Sequence, residues 1–295
     1  MGKTRYPVYV ISKGRYEKCL TAMFLIQDKV DFFLVVEPQE KNEYAERYGS
    51  DRILVLPFSN LGLGSIPSRN FCWEHSKKNG HFRHWILDDN IHKMRRLHKG
   101  KRIACNSLPA LKATEDFVDR YENVAIAGMN YTFFAINKMP PFYLNCHVYS
   151  TLLIRNDMEY RWRGRYNEDT DLCLQVLSGG WCTVLMNAFL IEKVATMTMK
   201  GGNTDVLYQG DGRLTMAKSL ERMWPGVVRT DRRYGRPQHV VANQWKGFDN
   251  QLIRRKDIDW ENLDSNNYGM TLKVVADGIK SDSLRDFVSK ENDKD

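Results

Sequence analysis

The sequence lacks the features that mark several classes of protein. It contains no internal repeat and no low-complexity run, which excludes collagen-like and largely disordered chains. No apolar stretch reaches the roughly 20 residues needed to cross a bilayer. Residues 1–7 lead into a strand pattern where a signal peptide would have an apolar core. These absences predict a cytoplasmic protein.

Cysteine pairs with metal-site spacing are also missing. The six cysteines include no C-x-x-C pair, and most of them lie in apolar runs: Cys19, Cys72, Cys105, Cys146, Cys173 and Cys182. Cysteines of this kind are typical of buried, reduced thiols. We therefore expect neither disulfides nor a zinc site.

A modest excess of positive charge is present. The chain has 44 Lys+Arg against 36 Asp+Glu, a formal net charge of +8 over 295 residues. This excess favours an acidic partner, although a charge of this size is also common in proteins that bind no nucleic acid. The length allows one large domain, or one domain with an appendage.

Short β-branched runs alternate with helical patterns from residue 6 to residue 90, which predicts a parallel α/β sheet. The predicted strands are 6–11, 31–36, 52–56 and 85–87, and the helices are 16–27, 39–48 and 68–78. Further strands are expected at 124–128, 131–136, 148–154 and 181–189, and helices at 168–177 and 214–223, before a basic loop and a polar tail. Ligands bind outside the carboxyl ends of such strands.

The last predicted strand of this region runs directly into Asp88, Asp89 and Asn90. Consecutive strand residues face opposite sides, so Asp88 and Asn90 project together while Asp89 points away. Oxygen ligands of this kind suit Mg²⁺ or Mn²⁺. The alternative is a turn that caps the next helix.

A second acidic cluster begins the predicted helix at 168–177 with Glu168, Asp169 and Asp171. Acids in a first helical turn are stabilised by the helix dipole, which is the simpler interpretation. Three acids in four positions exceed what capping needs. One of them could act as general base for an incoming hydroxyl.

Three loops have the composition of phosphate-binding segments. Residues 12–15 (Ser-Lys-Gly-Arg) follow the first strand, and the glycine-rich segment 61–70, with Gly64 and Arg69, precedes the third helix. The second segment does not match the Walker pattern. Residues 199–205, with Lys200, resemble a flap over a diphosphate, or an ordinary surface loop.

Basic and aromatic residues interleave in segments 93–102, 160–166 and 229–236. Cations bind phosphates and aromatic rings stack on bases, so these segments favour a polyanionic acceptor, DNA or RNA. The alternative is a solvated surface. The residues expected to bind the acceptor are Arg95, Arg96, Arg161, Trp162, Arg163 and Arg165.

The order of these parts resembles the layout of GT-A-type glycosyltransferases and, within them, the TET-associated glycosyltransferase group of phage and eukaryotic proteins. The resemblance covers roughly residues 6–205. It implies a GT-A-like mixed α/β sheet, Rossmann-like in its nucleotide-sugar-binding part and flanked by helices, with a small helical and basic C-terminal extension. The catalytic domain would span 1–210, with a nucleotide-sugar half to about 100 and an acceptor half from 101. The extension, 211–295, would complete the site.

The resemblance implies metal-dependent transfer of a hexose or pentose from a UDP-sugar to a hydroxyl of modified DNA, with 5-hydroxymethylcytosine of phage DNA as the expected acceptor and the host cytoplasm as the location. Asp169 would be the base in an inverting reaction, with Glu168 or Asp171 as substitutes. In a retaining reaction these acids would instead orient the substrate.

The resemblance also implies roles at the donor side. Asn90 stands where many members carry a metal-binding aspartate, so Asp88 or Asp89 would hold Mn²⁺ or Mg²⁺, with His239 completing the metal shell. The nucleotide-sugar would contact Ser12, Lys13, Arg15, Glu37, Gly64, Arg69, Asp88 and Lys200.

Two other functions fit the same residues. A metal-dependent nuclease or nucleotidyltransferase would use the acids on a phosphodiester and would hold two metals. A non-catalytic DNA-binding module with a degenerate transferase fold is favoured by the neutral Asn90.

Overall fold

A ten-stranded mixed sheet organises the fold in the computed structural model, which describes residues 2–136, 139–194, 212–233 and 235–263. Helices cover both faces of the sheet and enclose two large apolar clusters. One cluster includes Leu25, Tyr44 and Leu111, and the other includes Trp73 and Leu172. Within the described ranges, no helix is both long and apolar enough to cross a membrane.

The first half of the chain forms a parallel unit, as the sequence predicts. Its strands are β1 (Val8–Ile11), β2 (Phe33–Val36), β3 (Ile53–Val55) and β4 (Arg83–Asp88). Its helices are α1 (Leu20–Gln27), α2 (Lys41–Tyr48) and α3 (Ile66–Lys78). The spatial order is β3-β2-β1-β4, so the chain reverses direction across the sheet between β1 and β4. A crevice opens at the carboxyl ends of strands at such a point.

The second half completes the sheet with mixed pairing. Its elements are β5 (Ile91–His98), β6 (Lys101–Ala104), α4 (Ser107–Val118), β7 (Val124–Tyr131), β8 (Phe142–Leu144), β9 (Thr151–Arg155), α5 (Glu168–Ser178) and β10 (Cys182–Lys193). Because β9 is antiparallel to β4 and β7, and β10 is parallel to β7, the carboxyl ends of β1, β4, β7 and β10 share one edge.

The described part of the C-terminal extension includes α6 (Gly212–Met223), a hairpin of β11 (Val228–Arg233) and β12 (Arg236–Val241), and a short 3-10 helix, Ala242–Trp245. Leu220, Val228 and Val241 form a small apolar cluster with Leu174 of α5. The extension therefore packs on the helix that begins with the second acidic cluster. The predicted fold class, a mixed α/β sheet with a helical and basic extension, is confirmed.

Several predicted elements differ from the structure. The strand predicted at 131–136 is wrong, because β7 extends to Tyr131 and a short 3-10 helix, Thr132–Phe134, follows. The basic segment 93–102 forms most of the β5–β6 hairpin, and the basic loop 229–236 forms much of the β11–β12 hairpin. Lysines and arginines hide strand periodicity, since they interrupt the alternation of apolar and polar residues by which a strand is predicted.

A bulge interrupts the pairing of β10 with β7. Met186 pairs with Met129, but Leu190 pairs with Asn130, so residues 187–189 have no partner on β7. Asn187 fills the space with a side-chain hydrogen bond from Asn130 Nδ2 to its Oδ1 at 2.9 Å. Its backbone N–H donates to the Pro141 carbonyl at 2.8 Å. The side chain and the backbone N–H of Asn187 are thus hydrogen-bonded within the bulge. The bulge fixes which β10 residues reach the carboxyl edge.

Gly128 of β7 provides a test of the close pairing between β7 and β9. A Cβ at this position would lie 2.0 Å from the backbone oxygen of Thr151 and 2.5 Å from Val148. Gly128→Ala should therefore lower the free energy of unfolding by about 3 kcal/mol, measured by urea denaturation. Gly247→Ala is the control, because nothing lies within 4 Å of a Cβ there. Equal stability of the two variants would contradict the β7–β9 pairing.

Candidate active site

The shared edge of the sheet gathers polar side chains from five strands. Ser12 follows β1, Asp88 ends β4, Tyr131 ends β7, and Lys193 ends β10. Ser150 immediately precedes β9, which runs in the opposite direction. The edge therefore carries charged and hydroxyl groups at the crevice where the strand order reverses, the usual ligand position in open α/β sheets.

Both oxygens of the Asp88 carboxylate are bound by cations. Arg69 Nη2 donates to Oδ1 at 3.0 Å, and Lys193 Nζ donates to Oδ2 at 2.7 Å. Burial acts to raise the pKa of Asp88, but Lys193 and Arg69 outweigh it and lower the pKa. Asp88 is therefore ionised at neutral pH and serves as the shared counter-ion of two cations.

Lys193 is a site residue that the sequence did not reveal. Its Nζ also donates to Ser150 Oγ at 2.8 Å, and Ser150 Oγ lies 2.7 Å from the Tyr131 hydroxyl. The predicted strand stopped at residue 189, and a polar end of a strand carries no signal of its own. The acidic partner, Asp88, is 105 residues away in sequence.

Asp89 points to the opposite side of the strand end, as predicted. Its Oδ2 accepts from Ser12 Oγ at 2.7 Å, and its Oδ1 accepts from Arg15. Ser12 Oγ also lies 2.7 Å from the Tyr44 hydroxyl. Burial raises the pKa of Asp89 despite the contact with Arg15. This buried network fixes the loop after β1, which gives Ser12, Arg15 and Asp89 a structural role.

The predicted metal ligands do not form a divalent-cation site. Asp88 and Asp89 have every carboxylate oxygen bound by protein donors, and only the neutral Asn90 Oδ1 is buried without a partner. Among the described residues, no three His, Cys, Asp or Glu side chains are arranged to hold a metal. Mg²⁺ and Mn²⁺ require several oxygen ligands. The donor set does not fit the predicted metal.

Arg69 joins the two acidic stretches. Besides binding Asp88, its guanidinium donates from Nε to Ser65 Oγ at 3.1 Å, and Nε lies 3.5 Å from Glu168 Oε1. The guanidinium carbon sits 4.6 Å from the centroid of the Trp162 ring. The side chain is 8% exposed. Residues 88 and 168, which are far apart in sequence, therefore meet at one buried cation.

The three acids of α5 have different environments. Glu168 accepts from Ser65 Oγ at 2.7 Å, and burial raises its pKa against the effect of Arg69. Asp169 is partly exposed, and contact with His147 outweighs burial and lowers its pKa. Asp171 is fully buried and bound by Arg163 at 3.1 Å and by Trp224 Nε1 at 2.7 Å. Asp171 is closed to a substrate, so it cannot substitute for Asp169.

Two histidines complete the surroundings of Asp169. His147 Nε2 lies 3.3 Å from Asp169 Oδ2 and 3.2 Å from Thr170 Oγ1. His239 of β12 reaches the same Thr170 hydroxyl at 3.4 Å, and burial lowers its pKa to about 4. His239 is therefore neutral at pH 7. Sequence reasoning missed His147 because it lies in an irregular segment, Asn145–Ser150, without a motif.

The remaining donor-side residues lie at the β1–β2 end of the crevice. Lys13 Nζ binds both oxygens of Glu37 at 2.8 Å and Asn60 Oδ1 at 2.8 Å. Burial acts to raise the pKa of Glu37, but Lys13 and Gln39 outweigh it and lower the pKa. Gly64 is exposed in the turn before α3, with φ +67°. Lys200 lies outside the described residues.

Some of the predicted acceptor residues are buried or half-buried, and others are exposed. Trp162 is 2% exposed and covered by Arg69, so it has no free ring face for a base. Arg161 binds Glu74 at 2.9 Å, and Arg95 binds Glu192 at 2.7 Å. The structure does not support a stacking role for Trp162. Arg96 is half-buried on β5, and Arg163 and Arg165 are exposed before α5.

The fold and the crevice define an α/β protein with a ligand site lined by charged side chains of both signs. A family model described as TET-Associated Glycosyltransferase matches residues 6–202. The match spans more than half of the chain, so the protein belongs to this family and is a glycosyltransferase. None of the curated proteins compared with the chain matches it.

A solved structure from Desulfovibrio desulfuricans G20, described as a candidate nucleotide-diphospho-sugar transferase, is also similar to this chain. The two share 9% identity, with a TM-score of 0.36, over 62% of this chain and 80% of the other. A likeness this weak adds nothing to the family assignment.

The environments of the α5 acids predict effects on stability of different size. Asp171→Asn should lower the free energy of unfolding by about 2 kcal/mol, because the buried partners of Asp171 lose a charged acceptor. Asp169→Asn should change it by about 1 kcal/mol or less. Urea denaturation of both variants measures the difference. A larger loss for Asp169→Asn would contradict the assignment of Asp171 to the protein interior.

Proposed function

We propose that this glycosyltransferase moves a sugar from a UDP-sugar to a hydroxyl group of modified DNA, with 5-hydroxymethylcytosine of phage DNA as the expected acceptor. The observation that carries the proposal is the buried Arg69, which binds Asp88 on one side and approaches Glu168 on the other. The strand end proposed to bind the donor and the helix start proposed to accept the proton therefore lie on two sides of Arg69. A cytoplasmic location and a division of the chain near residue 210 are parts of this proposal.

The charge of the crevice and the topology of the sheet support a nucleotide-sugar as the donor. A nucleotide diphosphate is an anion, and the crevice between β1 and β4 ends beside the Arg69 guanidinium. The Lys13–Glu37 pair lies at the end of β1 and β2, where the nucleoside would extend along the same edge. Because a guanidinium donates charge-assisted hydrogen bonds to phosphate oxygens, and Arg69 Nη1 has no hydrogen-bond partner in the protein, Arg69 suits the diphosphate.

The chemistry requires a base beside the anomeric carbon, and Asp169 is the acid of α5 that is both ionised and reachable from the crevice. The lowered pKa keeps Asp169 ionised, and its carboxylate is 28% exposed. Asp169 would accept the proton of the acceptor hydroxyl as that oxygen attacks the anomeric carbon. The bond from this carbon to the diphosphate breaks, and Arg69 stabilises the leaving group. This order of events inverts the anomeric configuration.

The resemblance predicts Mn²⁺ or Mg²⁺, but the described donor set does not fit either ion, so no step here depends on a metal. The same observation disfavours a nuclease, which would hold two metals about 3.5–4 Å apart. A DNA-binding module without activity makes a different prediction from ours, because it would leave the acceptor unmodified.

The β11–β12 hairpin supports the proposal that the acceptor is DNA. His239 lies on one face of the hairpin and contacts the hydroxyl of Thr170, the residue next to Asp169. The register and the alternation of strand residues place Arg229, Arg233 and Arg236 on the other face. All three are exposed. A two-stranded ribbon with exposed arginines can enter the major groove of DNA.

The activity is tested by incubating the protein with UDP-sugars and hydroxymethylated DNA, and then measuring nucleoside masses. We expect a nucleoside heavier by one sugar, and a loss of about 100-fold or more in rate for Asp169→Asn, since general bases contribute that much. Asp31→Asn, an exposed acid before β2, is the control. DNA binding without any mass increase would instead favour the non-catalytic module.

The hairpin makes a separate prediction for acceptor binding. Replacing Arg229, Arg233 and Arg236 by Gln should weaken DNA binding and reduce the slope of log K against log salt by about 2–3, because each phosphate contact contributes about 0.9. Fluorescence anisotropy of labelled duplex DNA at several salt concentrations measures the slope.

A matched triple variant controls for net charge. Lys41, Arg47 and Lys77 are exposed on α2 and α3, and their replacement by Gln removes the same charge elsewhere. A salt slope that falls equally in both variants would refute the hairpin as the DNA contact.

A further inference from the structure

Lys193 places an ammonium group inside the crevice at the carboxyl edge. Its Nζ lies 2.7 Å from Asp88 Oδ2 and 2.8 Å from Ser150 Oγ. An ammonium has three N–H donors, so these two contacts leave one donor for a ligand. The side chain is 16% exposed. It is therefore held by protein oxygens but is still reachable from the crevice.

The position of this ammonium is the one that a divalent cation would need. A cation bound to Asp88 Oδ2 would lie within a few ångströms of Lys193 Nζ, and the two positive charges would repel each other. Asp89 offers no alternative, because Ser12 and Arg15 bind its two oxygens. Lys193 thus already supplies, beside Asp88, the positive charge that a metal would bring.

Arg69 contributes a second cation on the other side of the same carboxylate. Its Nη2 binds Asp88 Oδ1, while its Nη1 is buried and has no hydrogen-bond partner. Two cations therefore share Asp88, and Glu168 lies on the other side of the guanidinium, 3.5 Å from Arg69 Nε. Such an arrangement suits a diphosphate, whose oxygens can accept from both the guanidinium and the ammonium.

We propose that Lys193, together with Arg69, binds the donor diphosphate in place of a divalent cation, so that donor binding is independent of metal. The inference rests on the proposed use of a nucleotide-sugar donor. In this arrangement Asp88 holds the two cations in position and contacts the diphosphate only through them. Its carboxylate is thus a positioning group for the diphosphate site.

The test is calorimetric titration of the full chain with UDP, once in EDTA and once in Mn²⁺. We expect the dissociation constants of the unmodified protein to agree within about twofold, since no ligand site for the metal is needed. Lys193→Met should weaken UDP binding by about tenfold or more in both buffers, which corresponds to the loss of one charged hydrogen bond. Lys193→Arg should retain more of the affinity than Lys193→Met does.

Two comparisons separate a diphosphate contact from a general effect on the fold. Lys93→Met removes the same charge from the adjacent strand β5, where Lys93 pairs with Glu192, and should leave UDP affinity unchanged. Uridine lacks the diphosphate, so its binding should be unaffected by Lys193→Met. Equal weakening of UDP and uridine would overturn the inference, because it would indicate a collapsed crevice.

The outcomes for the inference and for the proposed function are distinct. UDP binding that disappears in EDTA and returns with Mn²⁺ overturns the metal-independent site and leaves the nucleotide-sugar donor intact. No UDP binding in either buffer overturns both. If Lys193→Met does not fold, as judged by circular dichroism, the comparison of EDTA with Mn²⁺ in the unmodified protein still decides the question.

Discussion

The structure of the crevice depends on one buried guanidinium. Arg69 is enclosed by the Trp162 ring, by the end of β4 and by the start of α5, and it binds Asp88 of β4 and approaches Glu168 of α5. A charge removed from water is costly unless several groups compensate it. The planar fork of arginine can meet Asp88 and Ser65 while lying flat on an indole, whereas a lysine cannot. The geometry of both acidic stretches follows from that requirement.

Acids that are neighbours in sequence have separate tasks because backbone periodicity separates them in space. Asp88 and Asp89 lie on opposite sides of a strand end, one towards the crevice and one towards the loop after β1. Asp169 and Asp171 lie two positions apart on a helix, which turns one towards His147 and the other into the interior. A run of acids is therefore informative only together with the element that carries it.

The sequence predicted the parallel half of the fold, β1 to β4, because nearly uncharged β-branched runs alternate there with helical patterns. The resemblance placed Asp88 and Asp169 in one site, and in the structure Arg69 joins Asp88 to Glu168, the neighbour of Asp169. The sequence did not predict the basic hairpins, since arginines interrupt the apolar alternation. Nor did it predict His147 or Lys193, because their partners come from distant segments. The metal was expected from the oxygen-rich composition of residues 88–90, and the counter-ions on other elements change that expectation.

The bulge at 187–189 sets the phase of the last part of β10 relative to β7. If one residue were inserted or deleted in this part of β10 and the bulge kept its length, the rest of the strand would slide by one position: the insertion would bring Glu192 into the place beside Asp88, and the deletion would bring Val194 there. The first change would set two anions against each other, and the second would leave a carboxylate facing a hydrocarbon. The chain can therefore exchange residues within this bulge more readily than it can gain or lose one.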